Sequence, residues 1–311
     1  MMTYSQHIPV MIEELLNIVQ PEQCQTVVDA TYGRGGHATA IYGRLPSDAR
    51  MVLIDRDPEA IVHARSVWQV TQGVDIVHAP FSRLGKELKV LGLFGKIDAI
   101  IFDFGVSSPQ LDSHDRGFSF NHDGPLDMRM DNSSGPTALE WMMGIPEKKL
   151  AQVLREYGEE RFSWAIAASI KQALSNGAIQ TTRDLEQLVV AAQPFKDKHK
   201  HPATRTFQAI RIAVNDELSE IEQGLEQALE GLAPGGRLAA ISFHSIEDRI
   251  VKRFIRNQSR GDHYPPEVPV PSEMMHPRLR QIGKPLKPGT EEIQKNPRSR
   301  SAVFRAAQKV A

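Results

Sequence analysis

Three acids, each at the end of an apolar run, mark where this sequence can do chemistry. In Thr26-Val27-Val28-Asp29-Ala30-Thr31-Tyr32-Gly33-Arg34-Gly35-Gly36-His37, a hydrophobic run ends in Asp29 and a glycine-dense turn follows. Glycine is needed where the backbone takes positive φ or comes close to a ligand. The alanine-rich segment after the turn reads as a helix, whose first N–H groups are unpaired and carry partial positive charge. Gly33-x-Gly35-x-x-Ala38 fits a relaxed dinucleotide fingerprint, so glycine spacing alone leaves NAD and S-adenosylmethionine both open. Asp29 tilts the choice. A carboxylate repels a pyrophosphate but suits the cationic methionine portion of S-adenosylmethionine, either by contact or by supporting the loop.

The second acid, Asp55, ends the run Met51-Val52-Leu53-Ile54 and lies 22 residues beyond Gly33. That is close to the ~20 expected of a carboxylate that accepts two hydrogen bonds from a ribose diol. The competing role, capping the next helix, suits Asp57 better, with Pro58 at the first helical position. Phe81, after a third run, either stacks on an adenine or packs in the core.

The third acid opens Asp103-Phe104-Gly105-Val106-Ser107-Ser108-Pro109-Gln110-Leu111-Asp112. It follows the strand Ile97–Phe102, where a Rossmann-type methyltransferase holds its acceptor. Methyl transfer from a sulfonium is an in-line displacement, and the protein contributes alignment and electrostatics. An exocyclic amine on a base is a poor nucleophile, because its lone pair is delocalised into the ring. Asp103, Ser107 and Ser108 offer acceptors that can aim such an amine and raise its nucleophilicity.

These residues need a frame that brings strand ends together. Strands at Val27–Ala30, Met51–Ile54, Val74–Val77 and Ile97–Phe102 alternate with helices at His37–Leu45, Pro58–Trp68 and Ser82–Leu91, after a first helix at Pro9–Val19. Such alternation predicts an α/β fold, a Rossmann-like parallel sheet with helices on both faces that binds ligands at the strands' carboxyl ends. From Ser113 to Asn215 only helices are expected: Thr137–Met143, Glu147–Tyr157, Arg161–Ser175, Thr182–Ala192 and Ala203–Val214. The α/β pattern then resumes with helix Asp216–Leu232, a Pro234-Gly235-Gly236-Arg237 turn, strand Leu238–Phe243 and helix Ile246–Asn257. Residues 258–297 read as mostly loop, and Ser301–Arg305 as a last strand. The expected domains are therefore 1–112 with 216–311, which binds the donor, and an inserted all-helical substrate-recognition domain at 113–215.

Composition fits a soluble globular chain: 311 residues, 41% hydrophobic, net charge −1, with no apolar run of membrane-spanning length. The N-terminus has neither a basic nor an apolar leader region, so secretion is not expected. The single cysteine, Cys24, excludes an internal disulfide, fits a reducing cytoplasm and lacks companions for a metal site. Charge is uneven: residues 251–311 hold 13 Lys/Arg against 5 Asp/Glu, a surface suited either to a polyanion or to solvent. Phe195–Pro202 is a further basic segment, expected as an exposed loop.

The chain resembles the bacterial methyltransferase family that acts on the N4 amine of a decoding-centre cytosine in 16S ribosomal RNA. The resemblance spans nearly the whole chain. It rests on His7-Ile8-Pro9-Val10-Met11, the two acid-led turns above, Arg116-Gly117-Phe118-Ser119-Phe120 and Gly124-Pro125-Leu126-Asp127-Met128-Arg129-Met130. It continues in the run from Thr204 to Asn215, in Ser242-Phe243-His244-Ser245-Ile246-Glu247-Asp248-Arg249 and in Asn296-Pro297-Arg298-Ser299-Arg300-Ser301-Ala302. Phe104 and Ile246 stand where leucine is usual, and Tyr32 where phenylalanine is frequent; no polar group is lost. The resemblance implies S-adenosylmethionine contacts at Gly35, Gly36, His37, Asp55, Phe81, Asp103 and Gln110. It also implies the assembled small ribosomal subunit with its 16S rRNA as substrate and a cytoplasmic location, and it allows a homodimer. Two other readings compete: an NAD-dependent oxidoreductase, and a ribosome-assembly factor that binds S-adenosylmethionine without catalysis. Some roles stay open between structure and function. Asp127, Arg129 and Asp131 could form a hinge cluster or a structural ion pair. Arg205 and Arg211 could meet RNA phosphates or neighbouring acids. His244 could face the cytosine or be structural.

Overall fold

Successive side chains along the central strands enter two different cores. Val28, Val52, Ile54, Ile100, Phe102, Leu238 and Ala240 face one; Val27, Met51, Leu53, Ala99, Ile101, Ala239 and Ile241 face the other. This period of two, apolar on both faces, is what a parallel sheet covered on both sides requires. The computed structural model describes residues 9–194, 201–261 and 275–310. The chain divides into two units, Met1–Gly105 with Leu218–Ala311, and Val106–Glu217.

The first unit opens with α1 (Ile12–Val19), β1 (Thr26–Asp29), α2 (Gly36–Tyr42), β2 (Arg50–Asp55), α3 (Pro58–Trp68), β3 (Val74–His78), α4 (Leu84–Val90) and β4 (Ile97–Asp103). The second unit carries α5 (Ser108–Asp112), α6 (Ala138–Gly144), α7 (Glu147–Gly158), α8 (Ser163–Ser175), α9 (Thr182–Ala191) and α10 (Thr204–Asn215). The chain then runs through α11 (Glu217–Gly231), β5 (Leu232–Ser242), α12 (Ser245–Arg260), β6 (Leu279–Leu286), α13 (Thr290–Lys295) and β7 (Val303–Lys309).

The seven strands form one sheet in the order β3-β2-β1-β4-β5-β7-β6. β1 to β5 pair in parallel, and β7 lies antiparallel between β5 and β6. Leu84 and Leu88 of α4, Ile221, Leu225 and Leu229 of α11, and Val251 and Ile255 of α12 fill the first core. Leu15, Leu16 and Val19 of α1, Ile41 of α2, and Ala60, Ala64 and Trp68 of α3 fill the second. Asp57 caps α3, accepting from Glu59 N at 3.0 Å, with Pro58 next, as its sequence predicts.

Two parts differ from expectation. Within 258–297, read as mostly loop, the described residues include β6 and α13, while residues 262–274 lie outside the described part. The Pro234-Gly235-Gly236 turn is an irregularity inside β5: Ile97 pairs with Leu232 but Ala99 with Arg237, so the extra residues loop out.

In the second unit the core is Leu150, Leu154, Ile166, Ile170, Leu185, Val189, Phe207 and Ile210, with Val106 and Leu111 packed against it. That packing is why the division follows Gly105, upstream of the residue 113 boundary that the strand count suggested. The only pairing of β type outside the named strands, among the described residues, is the Pro125–Thr181 bridge. Residues 195–200 of the basic segment lie outside the described part. No helix among the described residues is long and apolar enough to cross a membrane.

Candidate active site

Strand lengths set the geometry. Asp29 pairs with Leu53 on one side and Ile101 on the other, so β1 stops short of both neighbours. Asp55 and Asp103, each two residues further on, therefore flank the glycine turn that leaves β1. Backbone bonds tie the turn to both strands: Ala30 N donates to the Ile101 carbonyl, Tyr32 N to the Ile54 carbonyl, each at 3.0 Å. Thr31 Oγ1 accepts from Asp103 N at 2.7 Å. The polar end of the central strand is thereby built from sequence-distant segments.

The glycine turn is shaped by sterics. Gly35 has φ +73°, and a Cβ there would lie 2.6 Å from the Tyr32 ring. Tyr32 is itself fixed, its hydroxyl accepting from Trp68 Nε1 at 3.1 Å and lying 2.9 Å from His63 Nδ1. A Cβ on Gly36 would come within 3.0 Å of Pro9. The segment before α1 thus lies against the start of α2, and His37 Nε2 meets the Val10 carbonyl at 2.8 Å.

Asp29 is buried and Asp55 and Asp103 are half-buried; Asp29 and Asp103 each leave one buried oxygen without a partner. Asp29 is 1% exposed; its Oδ1 accepts from Thr31 N at 3.1 Å, while Oδ2 has no partner. Burial raises its pKa, against the pull of His37 and the Thr31 N–H. Asp55 accepts from Gly33 N at 2.7 Å through Oδ2 and from Asp57 N at 2.8 Å through Oδ1. Burial still pushes it up to about 6. Asp103 Oδ1 is inaccessible and without a partner, and Oδ2 lies 3.5 Å from His37 Nδ1. Burial, reinforced by the charge of Glu247, pushes Asp103 up to about 8. Burial also lowers the His37 pKa.

Orphaned carboxylate oxygens in a dry site are costly unless a donor or cation fills the place. S-adenosylmethionine brings a cationic ammonium and sulfonium, which suit the unpartnered oxygens of Asp29 and Asp103, and a ribose diol, which suits the remaining acceptor capacity of Asp55. The donor set therefore fits it.

Of the residues expected to form the site, Gly35, Gly36, His37, Asp55 and Asp103 gather around the carboxyl ends of β1, β2 and β4 within the first unit. Phe81 lies beyond β3, half-buried, edge-on to Phe102 and Phe104 with centroids 5.6 and 5.8 Å away. It also leaves no room for a side chain on Gly224. Ser107, Ser108 and Gln110 belong to the second unit. Ser107 is the N-cap of α5, Ser108 its first residue, and Gln110 Oε1 accepts from Ser107 N at 2.9 Å. Gln110 is 6% exposed.

Glu247 was not singled out from the sequence. It is fully buried, accepts from Phe243 N at 2.7 Å and His244 N at 3.2 Å, and its Oε1 lies 3.0 Å from His244 Nε2. Its signal was present: His244-x-x-Glu247 has capping-box spacing at the start of α12. The Val10 carbonyl had no such signal, because only folding brings residues 9–11 to His37. Arg211, one candidate phosphate ligand, instead forks Glu217 with both contacts at 2.8 Å. Arg129 does the same to Asp127, at 2.8 and 2.7 Å.

A seven-stranded sheet with one antiparallel strand, a glycine turn after β1 and acids at the ends of β1, β2 and β4 define a class I methyltransferase that uses S-adenosylmethionine. The chain belongs to the MraW methylase family, whose model matches residues 4–310. It is 48% identical over 310 residues to ribosomal RNA small subunit methyltransferase H of Idiomarina loihiensis, covering 99% of this chain and 98% of that one. It is 50% identical over 306 residues to the protein of the same name from Hydrogenovibrio crunogenus, covering 98% and 97%. Among solved structures it is similar to an rRNA methylase from Streptococcus thermophilus, with 11% identity, a TM-score of 0.44 and coverage of 98% and 99%. Membership of a methylase family removes the dehydrogenase reading that the glycine spacing had left open.

Proposed function

We propose that this methyltransferase modifies the exocyclic N4 amine of a decoding-centre cytidine in the 16S rRNA of the small ribosomal subunit, in the cytoplasm. The observation that carries the chemistry is Asp103, a half-buried carboxyl with one inaccessible, unpartnered oxygen at the end of the strand beside the glycine turn. The near-full-length relatives named for small-subunit ribosomal RNA support the substrate.

S-adenosylmethionine, when bound, supplies an electrophilic methyl group on a sulfonium. Gly35, Gly36, His37, Asp55, Phe81, Asp103 and Gln110 are proposed to hold it. Asp29, already committed through Oδ1 to Thr31 N, supports the loop. An ionised Asp103 oxygen accepts an N–H of the amine and draws electron density toward nitrogen. Methylated nitrogen must then shed one proton, and a carboxyl raised to about 8 is well matched to receive it near neutral pH. Ser107 and Ser108 extend the acceptor set along the chain after Asp103.

The test is mass mapping of 16S rRNA from cells with and without the protein, followed by methylation of small-subunit particles by the purified enzyme. A cytosine-sized fragment that loses one methyl in the absence of the protein supports the reading. Unchanged RNA in both experiments overturns it, and would favour a non-catalytic assembly role.

A further inference from the structure

Helix α12 carries Arg249, Arg253, Arg256 and Arg260, spaced i, i+4, i+7 and i+11, so all four share one stripe. All four are exposed, as is Lys252 beside them. The opposite stripe, Glu247, Val251 and Ile255, is buried. The helix has two acids, and neither pairs with Arg253, Arg256 or Arg260. Glu247 is turned inward onto Phe243 N and His244 N. Asp248 forks Arg305, at 2.6 and 3.0 Å. Among the described residues no acid pairs with Lys252, Arg253, Arg256 or Arg260. Like charges at these spacings repel, a cost that Arg253, Arg256 and Arg260 bear among the described residues.

The cationic surface continues past the helix. Lys252, Gln281 and Lys284 line a cleft where α12 meets β6 and β7, together with Ile255, Ala306 and the Asp248-paired Arg305. β6 is the edge strand of the sheet. Lysine on an edge strand also discourages strand pairing, but that purpose does not extend to arginines on a helix.

We propose that this stripe, with Lys252 and Lys284, is a track for the phosphate backbone of the RNA substrate, separate from the methyl-transfer site. The inference rests on the ribosomal RNA reading above. Arginine outnumbers lysine on the helix, and its planar fork suits phosphate oxygens. A lipid surface is the less suitable partner. Membrane-surface helices bury an exposed apolar face, and α12 exposes no large hydrophobic side chain.

The test uses the full-length enzyme and its Arg253→Gln/Arg256→Gln double variant. Small-subunit particles, and 16S rRNA in them, are titrated across 50–200 mM salt, a range in which phosphate contacts dominate affinity. Each lost contact flattens the log affinity–log salt slope by about 0.7–0.9, so the pair should flatten it by roughly 1.5. KM for particles should rise several-fold, with kcat and S-adenosylmethionine affinity unchanged. Arg253→Lys/Arg256→Lys should restore most of the slope. A double variant with the wild-type slope and KM overturns the track while leaving the methyltransferase reading intact. Wild-type enzyme that neither binds nor methylates particles overturns both. Loss of binding to phosphatidylglycerol vesicles with RNA binding unchanged assigns the stripe to membranes and also overturns the proposal.

Discussion

His37 Nδ1 lies 3.5 Å from Asp103 Oδ2, while His37 Nε2 lies 2.8 Å from the Val10 carbonyl oxygen. A carbonyl only accepts, so Nε2 carries the proton. Burial keeps the imidazole neutral, which leaves a lone pair on Nδ1 facing the carboxyl group. Two acceptors face each other unless one is protonated. The pKa of about 8 puts that proton on Asp103 near neutral pH. Asp103 is thus a neutral acid near neutral pH, where the proposed reaction calls for a carboxylate.

Stability should reflect this. In the unfolded chain Asp103 ionises near the ordinary aspartate value of 3.8, but in the folded chain only near 8. Between those values the folded state binds more protons, so stability falls as pH rises through the window. Asp103→Asn removes the penalty. It should abolish methyl transfer yet raise the melting temperature of the ligand-free protein, more at pH 8 than at pH 5. The gain should be on the order of 1–3 kcal/mol, less than full burial implies, because 23% of the side chain remains accessible. Equal melting temperatures at both pH values would show that Asp103 is ionised throughout.

Donor binding should release protons. A cationic ligand favours ionised Asp103 and Asp55, whose pKa values stand at about 8 and about 6 without it. Calorimetry at pH 7 in buffers of different ionisation enthalpy should show net proton release with S-adenosylmethionine. The release should shrink in Asp103→Asn and vanish above pH 9. Identical heats in all buffers would remove the coupling.

Gly35→Ala should disable the turn. Its φ of +73° is costly for alanine, and the new methyl would sit 2.6 Å from the Tyr32 ring. A cost of about 1–3 kcal/mol is expected, together with at least tenfold weaker donor binding by calorimetry. Gly92→Ala is the control. It shares positive φ, at +71°, but has nothing within 4 Å of the added Cβ. It should be destabilised while keeping wild-type donor affinity.

The carboxylates were legible because each ends an apolar run, and a parallel sheet places such ends on one rim. Their raised pKa values were not, since they come from burial and, for Asp103, from the charge of Glu247, which only folding brings near. Phe81 shows how two readings can share a residue. It packs edge-on to Phe102 and Phe104 yet stays half-buried, so packing does not exclude a stacking role. β6 was missed because its burial alternates weakly, with Leu279 buried and most later residues exposed. Gly283 at φ +63° and Pro285 also interrupt it, which an edge strand tolerates and a central one does not. The stripe on α12 was visible only as excess charge until the helix gave it a face.

In the helical unit, Asn215 should prove as important to stability as any apolar core residue. It is 3% exposed. Its Oδ1 accepts from Met130 N at 2.7 Å, and Nδ2 donates to the carbonyls of Met128 at 2.7 Å and Arg211 at 2.9 Å. Met128 is fully buried in a left-handed conformation, φ 58°, which persists only where surroundings enforce it. Asn215→Ala leaves buried backbone groups unpaired and should cost about 2–4 kcal/mol by urea unfolding. Asn215→Asp keeps the acceptor for Met130 N but turns a second oxygen toward two carbonyls. That variant should be at least as unstable at pH 7 and partly recover at pH 4–5, because a protonated carboxyl can donate to one of them. Recovery in acid separates a donor requirement from simple loss of volume, which would leave Asn215→Asp close to wild type at every pH.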